Sequence, residues 1–164
     1  MTAIELIGSI PGIKNLGAHV IVSEIGIDMS RFPSAAHLIS WACICPRNDE
    51  SAGKRRSNRV RKGGTWLKTT LVQCAWAASH TKGTYLSAQY KRLAARRGKK
   101  RALVAVGHTL LGIVYAVLKH KSTYRELGAD YLDRQDKERL TARLLQRLAK
   151  LGVTVTVEAE TAQV

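Results

Sequence analysis

Acidic residues are scarce in this chain: 12 Asp and Glu stand against 27 Lys and Arg, for a formal net charge of +15. The carboxylates are also dispersed. Glu5, Glu24, Asp28, Asp130 and Asp133 lie far apart in sequence, so no cluster of the kind that holds Mg2+ is visible. The five histidines, His19, His37, His80, His108 and His120, show no ligand spacing. Cysteine is sparse and odd in number. Cys43 and Cys45 form a C-x-C pair that suits neither a zinc knuckle nor a regular redox pair, and Cys74 falls in an apolar helical run. Reduced thiols and no metal site are expected. The opening MTAIELIGSIPG lacks a basic n-region and a long apolar h-region, which argues against a signal peptide. The longest apolar run, 102–118, is interrupted by Gly107, His108 and Gly112. It sits at the short limit for a membrane span and reads better as a central buried helix.

What is present is enough to fold. At 164 residues and 45% hydrophobic composition, one domain with a sizeable core is the default. A surface this basic attracts polyanions, nucleic acid first and an anionic membrane surface second. Apolar spacing predicts short helices at 3–9 and 35–43, and one at 15–25 whose apolar positions include Leu16, Val20, Ile21 and Ile25. Longer helices are predicted at 64–80, with Leu67, Leu71, Cys74, Ala75 and Ala78 as its stripe, at 85–97 and at 99–120. A loop with one turn of helix follows. Residues 136–151 then form an amphipathic helix with Leu140, Leu144, Leu145, Leu148 and Leu151 on one face. GVTVTVE at 152–158 alternates as a short strand would, although a lone strand needs a partner. The expected class is therefore mainly α, with a helix–hairpin–helix start, a helical core and a short C-terminal strand. Residues 1–134 are taken as one domain, and 135–164 as an amphipathic helix and tail.

Four segments carry candidate chemistry. In LIGSIPGIKNLGAHVIVSEIG (6–26), helix, apolar-Pro-Gly-apolar turn and helix follow the helix–hairpin–helix layout. Turn N–H groups and a helix N-terminus can meet a phosphate there, with Gly12 permitting close approach. Lys14 occupies the place of the usual second glycine and offers a side-chain contact instead; a plain helical hairpin is the other reading. The second segment is PRNDESAGKRRSNRVRKGG (46–64), with seven Lys or Arg and no large apolar residue except Val60. It reads as a loop in which Lys54, Arg55, Arg56, Arg59, Arg61 and Lys62 neutralise phosphates, or else as a solvated flexible loop. The third is Ser51 within that loop, before a small residue and a glycine. It reads either as a turn serine or as a nucleophile toward phosphorus whose transition state the guanidiniums stabilise. Asp49 and Glu50 read as its base or as turn formers. The fourth, AQYKRLAARRGKKR (88–101), is a basic helix end with Tyr90 interleaved, suited to nucleic-acid backbone contacts or simply solvated.

Taken in order, IPGI (10–13), RFPSAAHLISWA (31–42), CPRNDESAGK (45–54) and KGTYLSAQYKRLAARRGKKRA (82–102) resemble the C-terminal domain of insertion-sequence transposases of the IS110 type, also grouped under the IS116 and IS902 names. The resemblance covers residues 4–134 and continues loosely beyond. Lys14, Cys43 and Gly64 depart from its pattern. It implies a DNA recombinase that excises and inserts mobile elements, working in the bacterial cytoplasm at the nucleoid. It implies that Ser51 is the catalytic serine, attacking a DNA phosphodiester and holding the strand covalently until rejoining. Gly12, Lys14, Lys54, Arg55, Arg56, Arg59, Arg61 and Lys62 would contact nucleic acid. The family's partners are DNA and an element-encoded non-coding RNA, and a homo-oligomer or a separate N-terminal half is a further expected partner. Mg2+ is expected only with an N-terminal ribonuclease-H-like domain that carries an acidic tetrad. Such a domain is not seen in this sequence, so the chain reads as half of an enzyme, a mis-called start or a truncated remnant. A non-catalytic basic helical nucleic-acid-binding module and an inactive remnant are the alternatives.

Overall fold

The computed structural model describes residues 1–46, 49–57 and 59–155, with the backbone alone for 49–51, 55–57 and 65. The chain divides into two compact units, Met1–Ala129 and Asp130–Val164.

The first unit opens with α1 (Ala3–Gly8). Its start is fixed by a capping box: the Glu5 N–H donates to Thr2 Oγ1 (3.3 Å), and the Thr2 N–H donates to Glu5 Oε2 (2.7 Å). The IPGI segment forms a turn in which the Ile13 N–H donates to the Ile10 carbonyl (3.1 Å). Pro11 and Gly12 occupy its two central positions. Gly12 has φ +89°, the value a type II turn demands at its third residue. α2 (Asn15–Ile25) follows and ends at Gly26, φ +76°. A short 3-10 helix, Met29–Arg31, is capped by the Asp28 carboxylate, which accepts the Ser30 N–H at 2.9 Å. Hydrogen bonding from the Ser30 side chain, and then from its N–H, holds the Asp28 carboxyl below the usual carboxylate range. α3 (Ala35–Trp41) completes this part.

Three longer helices build the centre: α4 (Thr65–His80), α5 (Tyr85–Arg97) and α6 (Lys99–His120). The α4 stripe is buried as its spacing requires: Leu67, Leu71, Cys74, Ala75 and Ala78 are all in the core. Between α4 and α5 the chain turns tightly. Thr84 Oγ1 accepts the Ser87 N–H, and Ser87 Oγ donates to the Ser79 carbonyl (3.0 Å), so the buried hydroxyls of this turn are satisfied. α6 is the hub, lying against α1, α3, α4 and α5. Its length and hydropathy would suffice to cross a membrane. Here, however, Val106, Leu110, Leu111, Val114 and Leu118 are buried in the shared core, as expected of a central core helix.

After α6 the chain runs back across the helix ends. The Tyr124 N–H donates to Ser9 Oγ (2.9 Å), beside the end of α1. Glu126 Oε1 accepts three backbone N–H groups, from Tyr85 (2.8 Å), Leu127 (3.0 Å) and Gly128 (3.0 Å). The carboxylate thereby caps the first turn of α5 from a segment about forty residues away in sequence.

The second unit contains α7 (Tyr131–Gln135) and the amphipathic α8 (Lys137–Lys150). α8 ends where Gly152, φ +78°, lets the Val153 N–H reach back to the Leu148 carbonyl (3.1 Å). Of the strand expected at 152–158, Gly152 lies in a turn, residues 153–155 have no regular structure, and 156–158 lie outside the described residues.

Two expectations need correction. Segment 46–64 is not wholly a loop: β1 (Asp49–Ser51) and β2 (Lys54–Ser57) pair antiparallel. The reason is Ala52-Gly53, both with positive φ (+51° and +71°), the backbone required at the centre of a two-residue hairpin turn. Leu16 also fails to join the core. Ala18, Ile21 and Ile25 supply the buried face of α2, and Leu16 is 79% exposed.

Candidate functional site

The hairpin is an arm. Among the described residues its two strands lie against each other and against no helix. Its root is anchored. Pro46 and Val60 form an antiparallel bridge. Gly64 adopts φ +55° with its Cα side so near the end of α3 that a Cβ would sit 3.0 Å from the Ala42 carbonyl oxygen. Lys68, in the first turn of α4, donates through Nζ to the Arg61 carbonyl (2.9 Å) and the Gly63 carbonyl (3.0 Å). One lysine thus ties the returning strand of the arm to the helix that follows it.

The register places Ser51 opposite Lys54, Glu50 opposite Arg55, and Asp49 opposite Ser57 across a bulge. Ser51 is the last residue before the turn, and Lys54, exposed, is the first after it. Ala52 is alanine in the left-handed region, which costs about 1–2 kcal/mol relative to a right-handed position. Arg59, Arg61 and Lys62 are exposed along the return to the root. The side chains of Ser51, Arg55 and Arg56 lie outside the described residues. The structure therefore pairs Ser51 with Lys54 at the tip of one hairpin, while Gly12 and Lys14 belong to a separate element, the α1–α2 turn.

At the α1–α2 turn, glycine has a reason within the fold. A Cβ on Gly12 would run into the Cys74 carbonyl oxygen and into the backbone N and Cβ of Ala78, so the turn presses directly on α4. The Ile13 N–H is already used inside the turn, and Ile10 and Ile13 are buried. For an approaching anion this leaves the first turn of α2, whose N-terminus has no side-chain cap, and the exposed Lys14 just before it.

Sequence reasoning missed the cleft beside this turn. It has a volume of about 330 Å³ and lies between α2 and α4, lined by Lys14, Leu16, Val20, Trp66, Thr69 and Gln73 among others. Trp66 is 78% exposed on its rim. Part of the signal was available: Trp66 is a large apolar residue outside the stripe of its helix, whereas Leu16 falls at helical spacing and only the structure shows it exposed.

The thiols are free. Burial pushes Cys74 up, and burial outweighs the nearby Arg61 to push Cys45 up as well, so both favour the neutral thiol. Among the described residues no three His, Cys, Asp or Glu side chains converge as a metal site.

Residues 4–91 match the model of the Transposase IS116/IS110/IS902 family. The chain belongs to that family. Curated relatives agree with the assignment. The transposase for insertion sequence element IS1111A of Coxiella burnetii is 32% identical over 125 residues, covering 74% of this chain and 34% of the relative. A pilin gene-inverting protein of Moraxella bovis is 32% identical over 124 residues, 73% of this chain and 38% of the relative. The uncharacterized 43.6 kDa protein of insertion element IS110 in Streptomyces coelicolor is 25% identical over 117 residues, 71% and 29% respectively. The chain spans about a third of the length of the curated relatives it matches. The family match takes in α1 to α3, the hairpin arm, α4 and the first half of α5.

Proposed function

We propose that this chain is the serine-bearing, DNA-binding part of a transposase, acting in DNA strand cleavage and joining. The observation that supports the reading is the place of Ser51: the last residue before a two-residue turn, opposite Lys54, at the tip of a basic arm whose strands, among the described residues, lie against no helix. A serine on such an arm can be brought to a phosphodiester that the globular part does not cover.

In the proposed step, Ser51 Oγ bonds to phosphorus and the bond from phosphorus to one deoxyribose oxygen breaks. The serine proton passes to that departing oxygen. The strand is held as a phosphoserine ester until a deoxyribose hydroxyl attacks the same phosphorus, returns a proton to Ser51 and restores a phosphodiester. Lys54, Arg55, Arg56, Arg59, Arg61 and Lys62 offset the charge of the phosphate and of its pentacoordinate state. Lys14 and the uncapped first turn of α2, positioned by the Gly12 turn, form a second contact to the nucleic-acid backbone. Mg2+ belongs to an acidic domain of the kind the family resemblance implies, and no step above runs through it. An element-encoded RNA and a second copy of the chain are further partners in this reading.

Salt-dependent binding tests the electrostatic half. Reversing the charge of Lys54, Arg61 or Lys62 should weaken DNA binding and lower the salt slope by about one for each phosphate no longer neutralised. Unchanged affinity and slope in the triple variant would remove the arm from the DNA interface. A DNA–protein adduct that depends on Ser51 tests the chemical half.

A further inference from the structure

The cleft between α2 and α4 has no part in the cleavage step, and its chemistry is unusual for a surface with a net charge of +15. Its lining includes one charged side chain, Lys14, and no carboxylate. Leu16 and Trp66, at 79% and 78% exposure, leave two large apolar side chains in water on its walls. Thr69, Thr70 and Gln73 add hydroxyl and amide groups along the α4 side. An apolar platform, hydrogen-bonding groups and a single cation together match a nucleotide: a base with a flat apolar face and polar edges, carried on a phosphate.

We propose that this cleft receives an unpaired base of a DNA strand, stacked on Trp66, with a neighbouring phosphate at Lys14. This rests on the DNA-binding reading above and adds to it a subsite for single-stranded substrate. Three observations favour DNA over an apolar peptide as the occupant. The cation without an opposing acid fits a polyanion. The volume of about 330 Å³ lies at the low end for ligand clefts, which run to about 1,000 Å³, and so suits one base. The cleft also shares the first turn of α4 with the root of the arm: Trp66 is the second residue of that helix, and Lys68 holds the Arg61 and Gly63 carbonyls. Trp66 and Lys68 project from different sides of that turn, so a strand held at Arg61 and Lys62 would pass around one turn of α4 to reach the cleft. Stacking on an aromatic side chain tolerates any base, so the site senses unpairing rather than sequence.

The test uses the 164-residue chain with Trp41→Phe and Trp76→Phe, so that Trp66 is the only fluorophore of its type. A short oligo(dT) strand should quench Trp66. Trp66→Ala should weaken oligo(dT) binding about tenfold and leave binding to a short duplex unchanged, with Trp66→Tyr retaining most of the single-strand affinity. Lys14→Glu should weaken oligo(dT) binding further. Equal oligo(dT) affinity of Trp66→Ala and its parent would overturn the subsite while leaving duplex binding, and so the broader reading, in place. Tighter binding of oligo(rU) than oligo(dT), or quenching by an apolar peptide but not by oligo(dT), would reassign the cleft and overturn it equally. If the parent binds neither strand nor duplex, the DNA-binding reading falls too.

Discussion

Ser51 and Lys54 are register partners on the two sides of the Ala52-Gly53 turn. The pairing makes the candidate nucleophile and a cation neighbours through backbone hydrogen bonding rather than through the core. Backbone geometry at the turn therefore controls where the serine is held.

The first prediction concerns that turn. Ala52→Gly removes the left-handed strain of about 1–2 kcal/mol and should leave global stability unchanged, because among the described residues the strands of the arm lie against no helix. The arm should pair more persistently and be cut more slowly by trypsin at its basic sites. Ala52→Val should have the opposite effect. Identical cleavage rates in all three proteins would mean that the turn does not govern the arm.

A second prediction isolates the structural role of Gly12. Gly12→Ala places a methyl group against the Cys74 carbonyl and Ala78 and forces alanine to φ +89°. Overpacking and the unfavourable backbone together should cost about 2–5 kcal/mol in urea unfolding. Weaker DNA binding with stability intact would instead assign Gly12 to the interface.

The Glu126 latch gives a third. Glu126→Ala leaves the Tyr85, Leu127 and Gly128 N–H groups without their acceptor and should destabilise the first unit by about 1–3 kcal/mol. Glu126→Gln keeps an acceptor oxygen and should cost less. Equal destabilisation by the two substitutions would argue that the carboxylate charge, not the accepted hydrogen bonds, carries the effect.

Helix and core are largely legible in the sequence, because period and burial coincide there. Leu67, Leu71, Cys74, Ala75 and Ala78 repeat at helical spacing, and all are buried. The arm is legible only as charge. Its strands carry no alternating apolar residues, so nothing in their side chains announces pairing, and the hairpin depends on two residues with positive φ. Leu16 misleads for a related reason. Its hydrophobicity and spacing suggest burial, whereas it lies off the buried face of α2 and lines the cleft. Nothing in the sequence around Gly12 announces that its turn packs against Cys74 and Ala78 of α4.

A fourth prediction is set by His108 on α6. Burial lowers its pKa below the ordinary histidine value, so the folded chain holds it neutral. The unfolded chain then binds the proton more readily, and stability falls as pH drops through the unfolded value of about 6.5 toward the lower folded one. His108→Gln should flatten this part of the stability profile. An unchanged acid slope in the variant would assign the destabilisation to other groups.

The central claim is that Ser51 links covalently to DNA. The most direct measurement is a denaturing gel, followed by mass mapping, of the chain incubated with element-end DNA, Mg2+ and the acidic domain of a family transposase. The account predicts a DNA–protein adduct mapped to Ser51, abolished by Ser51→Ala while salt-dependent DNA binding persists. An adduct that survives Ser51→Ala, or strand joining with no adduct on the wild-type chain, would contradict it.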